Sequence, residues 1–154
     1  MTLTSERASP TSIVFRRRFN APPARIWNAH FSEDLVPKWI GGYEGWEMSS
    51  CRIDARPGGG FRYEFSHPES GSFVIDGNFE VLEPPHRSIH VEQMHLAGGS
   101  TPQGRVETVF YPDGAGTLMT MTMSYRTAEE LEQMLSTGME DGMAHTYDAL
   151  DALA

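Results

Sequence analysis

The 154-residue chain has the length of one domain with one core, and its modest 39% apolar share is bulked out by eight Phe, five Tyr, three Trp and nine Met. Twelve Lys and Arg against 21 Asp and Glu give a net charge of -9, which repels a phosphate backbone and speaks against nucleic-acid binding. A single cysteine, Cys51, excludes an intrachain disulfide, and no stretch approaches a membrane span, so the expectation is a cytoplasmic protein without membrane insertion.

In chain order, residues 1–11 read as a disordered lead-in and 12–154 as a single domain. Ile13 to Phe19 is a first strand, stopped by Asn20-Ala21-Pro22-Pro23. Proline suits an opening helical turn, so Pro22 to His30 is expected to be helical, with Ile26, Trp27 and Phe31 facing inward. Ser32 is placed to cap a second short helix holding Leu35 and Trp39, which Gly41-Gly42 would end.

From Trp46 to Tyr125 the punctuation changes to short extended runs parted by turn residues such as Pro57-Gly58-Gly59-Gly60 and Pro112-Asp113-Gly114. With the first strand these runs make seven, joined by short loops, which implies an antiparallel sheet. Phe61, Tyr63 and Phe65 share one face; Phe73, Ile75, Phe79 and Val81 share another such row. Met119, Met121, Met123 and Tyr125 make a third. One face of the sheet is therefore apolar and aromatic, and the other is wet.

The end of the chain changes to helical spacing. Thr127 followed by Glu130 is a capping box, and no proline interrupts Thr127 to Ala154, so one helix of about seven turns is predicted. Leu131, Met134, Leu135, Met139, Met143, Leu150 and Leu153 fall in its apolar arc, with Asp148 and Asp151 outside it. Gly138 and Gly142 interrupt that arc at about 1 kcal/mol each against alanine. They read either as a notch that leaves room for a ligand, or as a close helix–sheet contact or kink.

Taken together, these patterns describe an α+β domain: a seven-stranded curved antiparallel sheet with one apolar face, two short helices after its first strand, and a long amphipathic C-terminal helix for that face to wrap around. Bulky strand residues facing a notched helix leave a cavity. Trp39, Trp46, Tyr63, Phe65 and Phe79 are its expected aromatic lining, the two tryptophans placed either to close its mouth or to anchor the core. Met121, Met134, Gly138 and Gly142 complete that lining.

Two polar positions are candidates for the same space. Arg17 shares a strand face with Phe15 and Phe19, where it would receive an anionic ligand or pair with an acidic side chain. His95 ends a strand near one rim, as an acid/base group or a solvated loop-end residue. His90 and His95, five apart, point to opposite faces and cannot share a metal; no metal-ligand or cofactor motif is present, and none is expected. Cys51 has no base partner in sequence, and no catalytic constellation is visible.

Five segments carry a family resemblance. FRRRFNAPPARIWNAHFSEDLVPKWIGG, DARPGGGFRYEF, GNFEVLEPP, FYPDGAGTLMTMTM and STGMEDGMAHTYDALDALA occur in the order found in the START-like (SRPBCC) superfamily. They are similar to its branch of activator-of-heat-shock-protein-ATPase homologues, with Gly142-Met143 where a Gly-Trp pair is more usual. The resemblance implies a helix-grip fold with a hydrophobic cavity, in a superfamily that includes lipid carriers, polyketide cyclases and co-chaperone domains. The leading expectation is binding of a small hydrophobic or aromatic molecule. The alternatives are a cyclase-like or hydrolase-like enzyme, and an interaction module acting on a chaperone or as a homodimer.

Overall fold

The alternating runs fold into one antiparallel sheet whose apolar face is gripped by the C-terminal helices. The computed structural model describes residues 2–154. Its strands are β1 (Thr4–Ser9), β2 (Ser12–Phe19), β3 (Glu47–Ile53), β4 (Gly60–His67) and β5 (Gly71–Glu83). They continue with β6 (Arg87–Leu96), β7 (Gly99–Ser100), β8 (Gly104–Asp113) and β9 (Gly116–Ser124). The order across the sheet is β1-β2-β9-β8-β6-β5-β4-β3, with β7 paired to β6. Hairpins connect β3 through β7, β8 returns to pair with β6, and β9 lies between β8 and β2, with Phe15 opposite Met121.

Two strands exceed the seven expected: the two-residue β7, and β1 within the segment expected to be a disordered lead-in. Every β1 side chain is exposed, so it carries no apolar alternation from which a strand can be read. Its ladder to β2 holds it instead, with ion pairs from Arg16 to Glu6 at 3.2 Å and from Arg7 to Glu132 at 2.6 Å.

The β2–β3 connection carries α1 (Pro23–Phe31), α2 (Val36–Trp39) and a single 3-10 turn at Tyr43–Gly45. Ser32 serves α2 through its carbonyl, which accepts from Val36 N at 2.9 Å, and not through a side-chain cap. Ile26 of α1 is fully buried, and the Trp27 and Phe31 rings lie 4.5 Å apart.

The predicted single C-terminal helix is two: α3 (Ala128–Leu135) and α4 (Met139–Leu153). Thr127 caps α3, its hydroxyl accepting from Glu130 N at 3.1 Å, but the Glu130 carboxylate turns back to Arg126 N. Between the helices Gly138 adopts φ +79°, a left-handed conformation that glycine takes without a Cβ clash. The break redirects the chain, so Leu131 and Leu150 are both fully buried while Leu153, part of the predicted arc, is exposed. They join Phe15, Phe19, Phe110 and Met119 in the core; each such side chain contributes about 1.5–3 kcal/mol of burial.

At Gly77 the backbones of β5 and β6 meet so closely that an added Cβ would lie 2.0 Å from the Val91 carbonyl oxygen and 2.7 Å from the Phe61 ring. Glycine here lets Phe61 lie across β5 on the inner face. No described helix is long and apolar enough to cross a membrane.

Candidate functional site

Between the inner face of β4, β5 and β6 and helices α3 and α4 lies a cavity of about 620 Å³. Its wall is the aromatic row predicted from alternation, with Phe65 and Phe73 stacked at 4.7 Å and Phe61 and Phe79 5.5 Å apart. Six of the nine methionines line it, among them Met121 on β9 and Met134 on α3, which makes the opposing wall polarizable and adaptable. Tyr43, Trp46, Leu96, Thr101 and Thr137 contribute the rim.

Trp39, Trp46, Tyr63, Phe65, Phe79, Met121, Met134 and Gly142 all line this space. The two tryptophans differ. Trp39 is buried, donates from Nε1 to the Ala29 carbonyl at 2.9 Å and stacks on Tyr147, so it anchors the core with one face on the cavity. Trp46 is partly exposed against His67 and Phe73, a position at the mouth. Gly142 presents open space: a Cβ there would meet only Tyr43, at 3.8 Å.

Three predicted residues lie elsewhere. Gly138 is the junction between helices and lines nothing. Arg17 is 3% exposed but points away from the cavity, to Asp148 at 2.5 Å and Asp151 at 3.6 Å on α4. It ties the first long strand to the last helix, which removes it as a receptor for an anionic ligand; its Nε remains buried without a partner. His95 faces the outer side, where Nε2 meets Asp76 and Nδ1 meets Ser100, each at 2.8 Å. These residue types are those of a nucleophilic triad, yet His95 and Ser100 lie outside the cavity and fasten the β6–β7 hairpin.

The inner polar groups were missed by sequence reasoning. On β6, Ser88, His90 and Glu92 recur at every second residue and all line the cavity. Their spacing of two in a strand, which puts all three on one face, is the signal the sequence carries for them. His90 Nε2 lies 2.6 Å from Glu92 Oε1, a pair able to hold or relay a proton. His30 on α1 is half-buried between Trp39 and Phe110 at the cavity wall, its Nδ1 2.7 Å from the Ile26 carbonyl. Desolvation pushes its pKa down to about 4, so the ring is neutral, Nδ1 donates, and Nε2 is left as an acceptor.

Burial raises the phenols of Tyr63, Tyr125 and Tyr147, and the Glu92 charge adds to the rise in all three. The cavity thus carries uncharged hydroxyls within electrostatic reach of one carboxylate. Cys51 is outside it, with burial and nearby Glu33 pushing the thiol up to about 11; it stays protonated and is a poor nucleophile. Among the described residues, no cluster of His, Cys, Asp and Glu is arranged to hold a metal ion. A second concavity, an open groove of about 840 Å³, crosses the outer face of β3–β6 among Arg52, Arg62, Asp76 and Gln93.

The sequence pattern of the Activator of Hsp90 ATPase homolog 1-like proteins matches residues 20–154, most of the chain. The chain belongs to this family. A solved structure from Rhodobacter sphaeroides is 31% identical to this family member, covering 99% of this chain and 97% of its own, with a TM-score of 0.91. One from Mycobacterium smegmatis has 22% identity, coverages of 98% and 96%, and a TM-score of 0.86. Another, from Nitrosomonas europaea, has 22% identity, 96% coverage of both chains and a TM-score of 0.82; at that identity the last two speak for the fold alone. No curated protein matches the chain. This family member has the α+β helix-grip fold, with its long helix divided in two.

Proposed function

We propose that the protein binds a small, mainly apolar or aromatic molecule between the sheet and its C-terminal helices, in a reducing cytoplasmic setting. The observation that carries this is the cavity of about 620 Å³, walled by Phe, Tyr and Met and left open at Gly142. The volume lies within the ~300–1,000 Å³ usual for ligand sites. Covering ~200 Å² of apolar ligand surface gains about 5 kcal/mol gross, from which association costs are subtracted, so micromolar affinity is the expected scale.

The test is native mass spectrometry of the purified protein, followed by a melting screen of aromatic and acyl compounds. Bound small molecules or ligand-dependent stabilisation support the reading; stabilisation that persists in Gly142→Trp, which fills the space, refutes binding at this site.

A second reading has its own support in the His90–Glu92 pair. It is an acid–base couple inside an apolar space, suited to shifting a proton on a bound enolisable carbonyl compound. Deuterium exchange at the α-carbon of an aromatic ketone, lost in His90→Phe, is its signature; exchange no faster than in buffer sinks it. An interaction-module reading, with a chaperone or a second copy as partner, draws less support. It calls for a broad contiguous apolar surface, whereas the exposed large apolar residues amount to one cross-strand pair, Tyr111 and Leu118 on β8 and β9, with Leu96 and Leu153 on β6 and α4.

A further inference from the structure

The polar groups of the cavity are unequal in kind. Among the described residues that line it there is no Arg, Lys or Asp, and Glu92 is the single carboxylate. Its Oε1 is engaged by His90 at 2.6 Å, and Oε2 accepts from no described residue. The other histidine, His30, presents only an acceptor, because its Nδ1 proton is spent on the Ile26 carbonyl. The Trp39 indole N–H is likewise spent, on Ala29, and the Gln93 amide donates to the Thr101 carbonyl. Among the fixed polar groups acceptors are left over and donors are used up; the hydroxyls of Tyr63, Ser88 and Tyr125, which also line the space, are neutral rotors that can donate or accept and so carry no preference for either sign of charge.

A carboxylate brought into this space would meet Glu92, whose side chain is 32% exposed along the aromatic wall, with no lining lysine or arginine to offset the repulsion. An ammonium group would find the opposite: a carboxylate partner, an imidazole acceptor, and the faces of Phe61, Tyr63 and Phe79 around it. A neutral hydroxyl would gain the hydrogen bond without the charge term.

We infer that the cavity selects amine-bearing aromatic ligands, accepts their alcohol counterparts less tightly and rejects their carboxylates, with Glu92 as the specificity-determining residue. This rests on the binding reading above and deepens it. Arg17, the buried cation on the inward side of β2, is committed to Asp148 and Asp151 and offers an acid nothing.

The experiment is calorimetric titration near neutral pH with naphthylethylamine, naphthylethanol and naphthylacetate, which share one aromatic body. The amine is expected to bind at least about tenfold more tightly than the acetate, with the alcohol between them. The net charge of -9 also disfavours anions at long range, so two controls isolate the cavity. In Glu92→Gln, which changes the net charge by one, the amine's advantage is expected to shrink to about threefold or less, whereas Glu6→Gln on the exposed β1 keeps it in full. Raised salt, which screens surface charge but not a contact inside the cavity, leaves the wild-type ranking intact and decides the matter if Glu92→Gln does not fold. Acetate binding as tightly as the amine, or an amine advantage that survives Glu92→Gln or vanishes with salt, overturns the inference and leaves ligand binding standing. If none of the three compounds binds, the inference and the binding reading fall together.

Discussion

On β2, β8 and β9 the inward residues Phe15, Phe19, Phe110 and Met119 are fully covered, whereas on β4 and β5 the inward Tyr63, Phe73 and Ile75 keep part of their surface bare. Both regions follow the same two-residue alternation. They differ in what lies opposite. Trp27 from α1 meets Phe110 edge-on at 6.1 Å, and Tyr147 from α4 meets Phe19 at 5.7 Å. Over β4 and β5 the helical layer breaks at Gly138 and carries a bare Gly142, so the aromatic rows face a hollow. Alternation decides which side chains turn inward; coverage depends on a separate layer.

Truncation should separate the regions most sharply. Phe19→Ala is expected to cost about 3–5 kcal/mol in denaturant unfolding, and Phe73→Ala, already bordering empty space, under about 1.5 kcal/mol. Equal losses would erase the distinction between packed and hollow halves.

Acid should act at the seam between the two regions, where His30 packs on Phe110 and borders the cavity. His30 has a pKa of about 4 in the fold against an ordinary 6.5, so below 6.5 the unfolded chain takes up the proton first. Its stabilising share is complete above that value and is lost as pH falls toward 4, on the order of 2 kcal/mol between about pH 7 and pH 5. Unfolding titrations across that window should flatten in His30→Phe; an unchanged slope would show that the ring is not held neutral.

The two helix glycines sharpen the contrast further. Gly138→Ala forces a left-handed conformation and should cost about 1–2 kcal/mol, while Gly142→Ala meets only ordinary contact and should be neutral or stabilising by up to about 1 kcal/mol. Thermal melts of the pair check this, and matching losses would contradict the helix break. The smallest effect belongs to Arg17→Met, which should leave ligand affinity within about twofold, because its partners lie on α4 outside the cavity. A larger change in titrated affinity would put the guanidinium back in contact with the ligand.

The residues themselves explain what was legible. Phe61, Tyr63, Phe65 and the Thr127 cap are local signals, each contained within a few positions, and they led to the sheet face and the start of α3. The break at Gly138 was illegible because glycine tolerates both the helical and the left-handed conformation. Strand β1 was hidden because its ladder depends on a neighbour and not on buried side chains. Arg17 was narrowed to an anionic ligand or an acidic partner, but its partners lie 131 and 134 positions away, beyond any spacing rule. His90 and Glu92 were within reach of the same-face argument that had separated His90 from His95.

The pairing of β2 with β9 has a consequence for how the chain acquires its form. Strand β2 has β1 as an immediate neighbour on one edge but finds its second ladder partner only after Gly116–Ser124 has been made, and Arg17 waits longer still for α4. Such non-local closure slows folding, because a large loop must be ordered before the contacts that reward it form. During synthesis β2 emerges from the ribosome with its apolar side uncovered, and the interval before β9 arrives is when aggregation competes most strongly with the native topology.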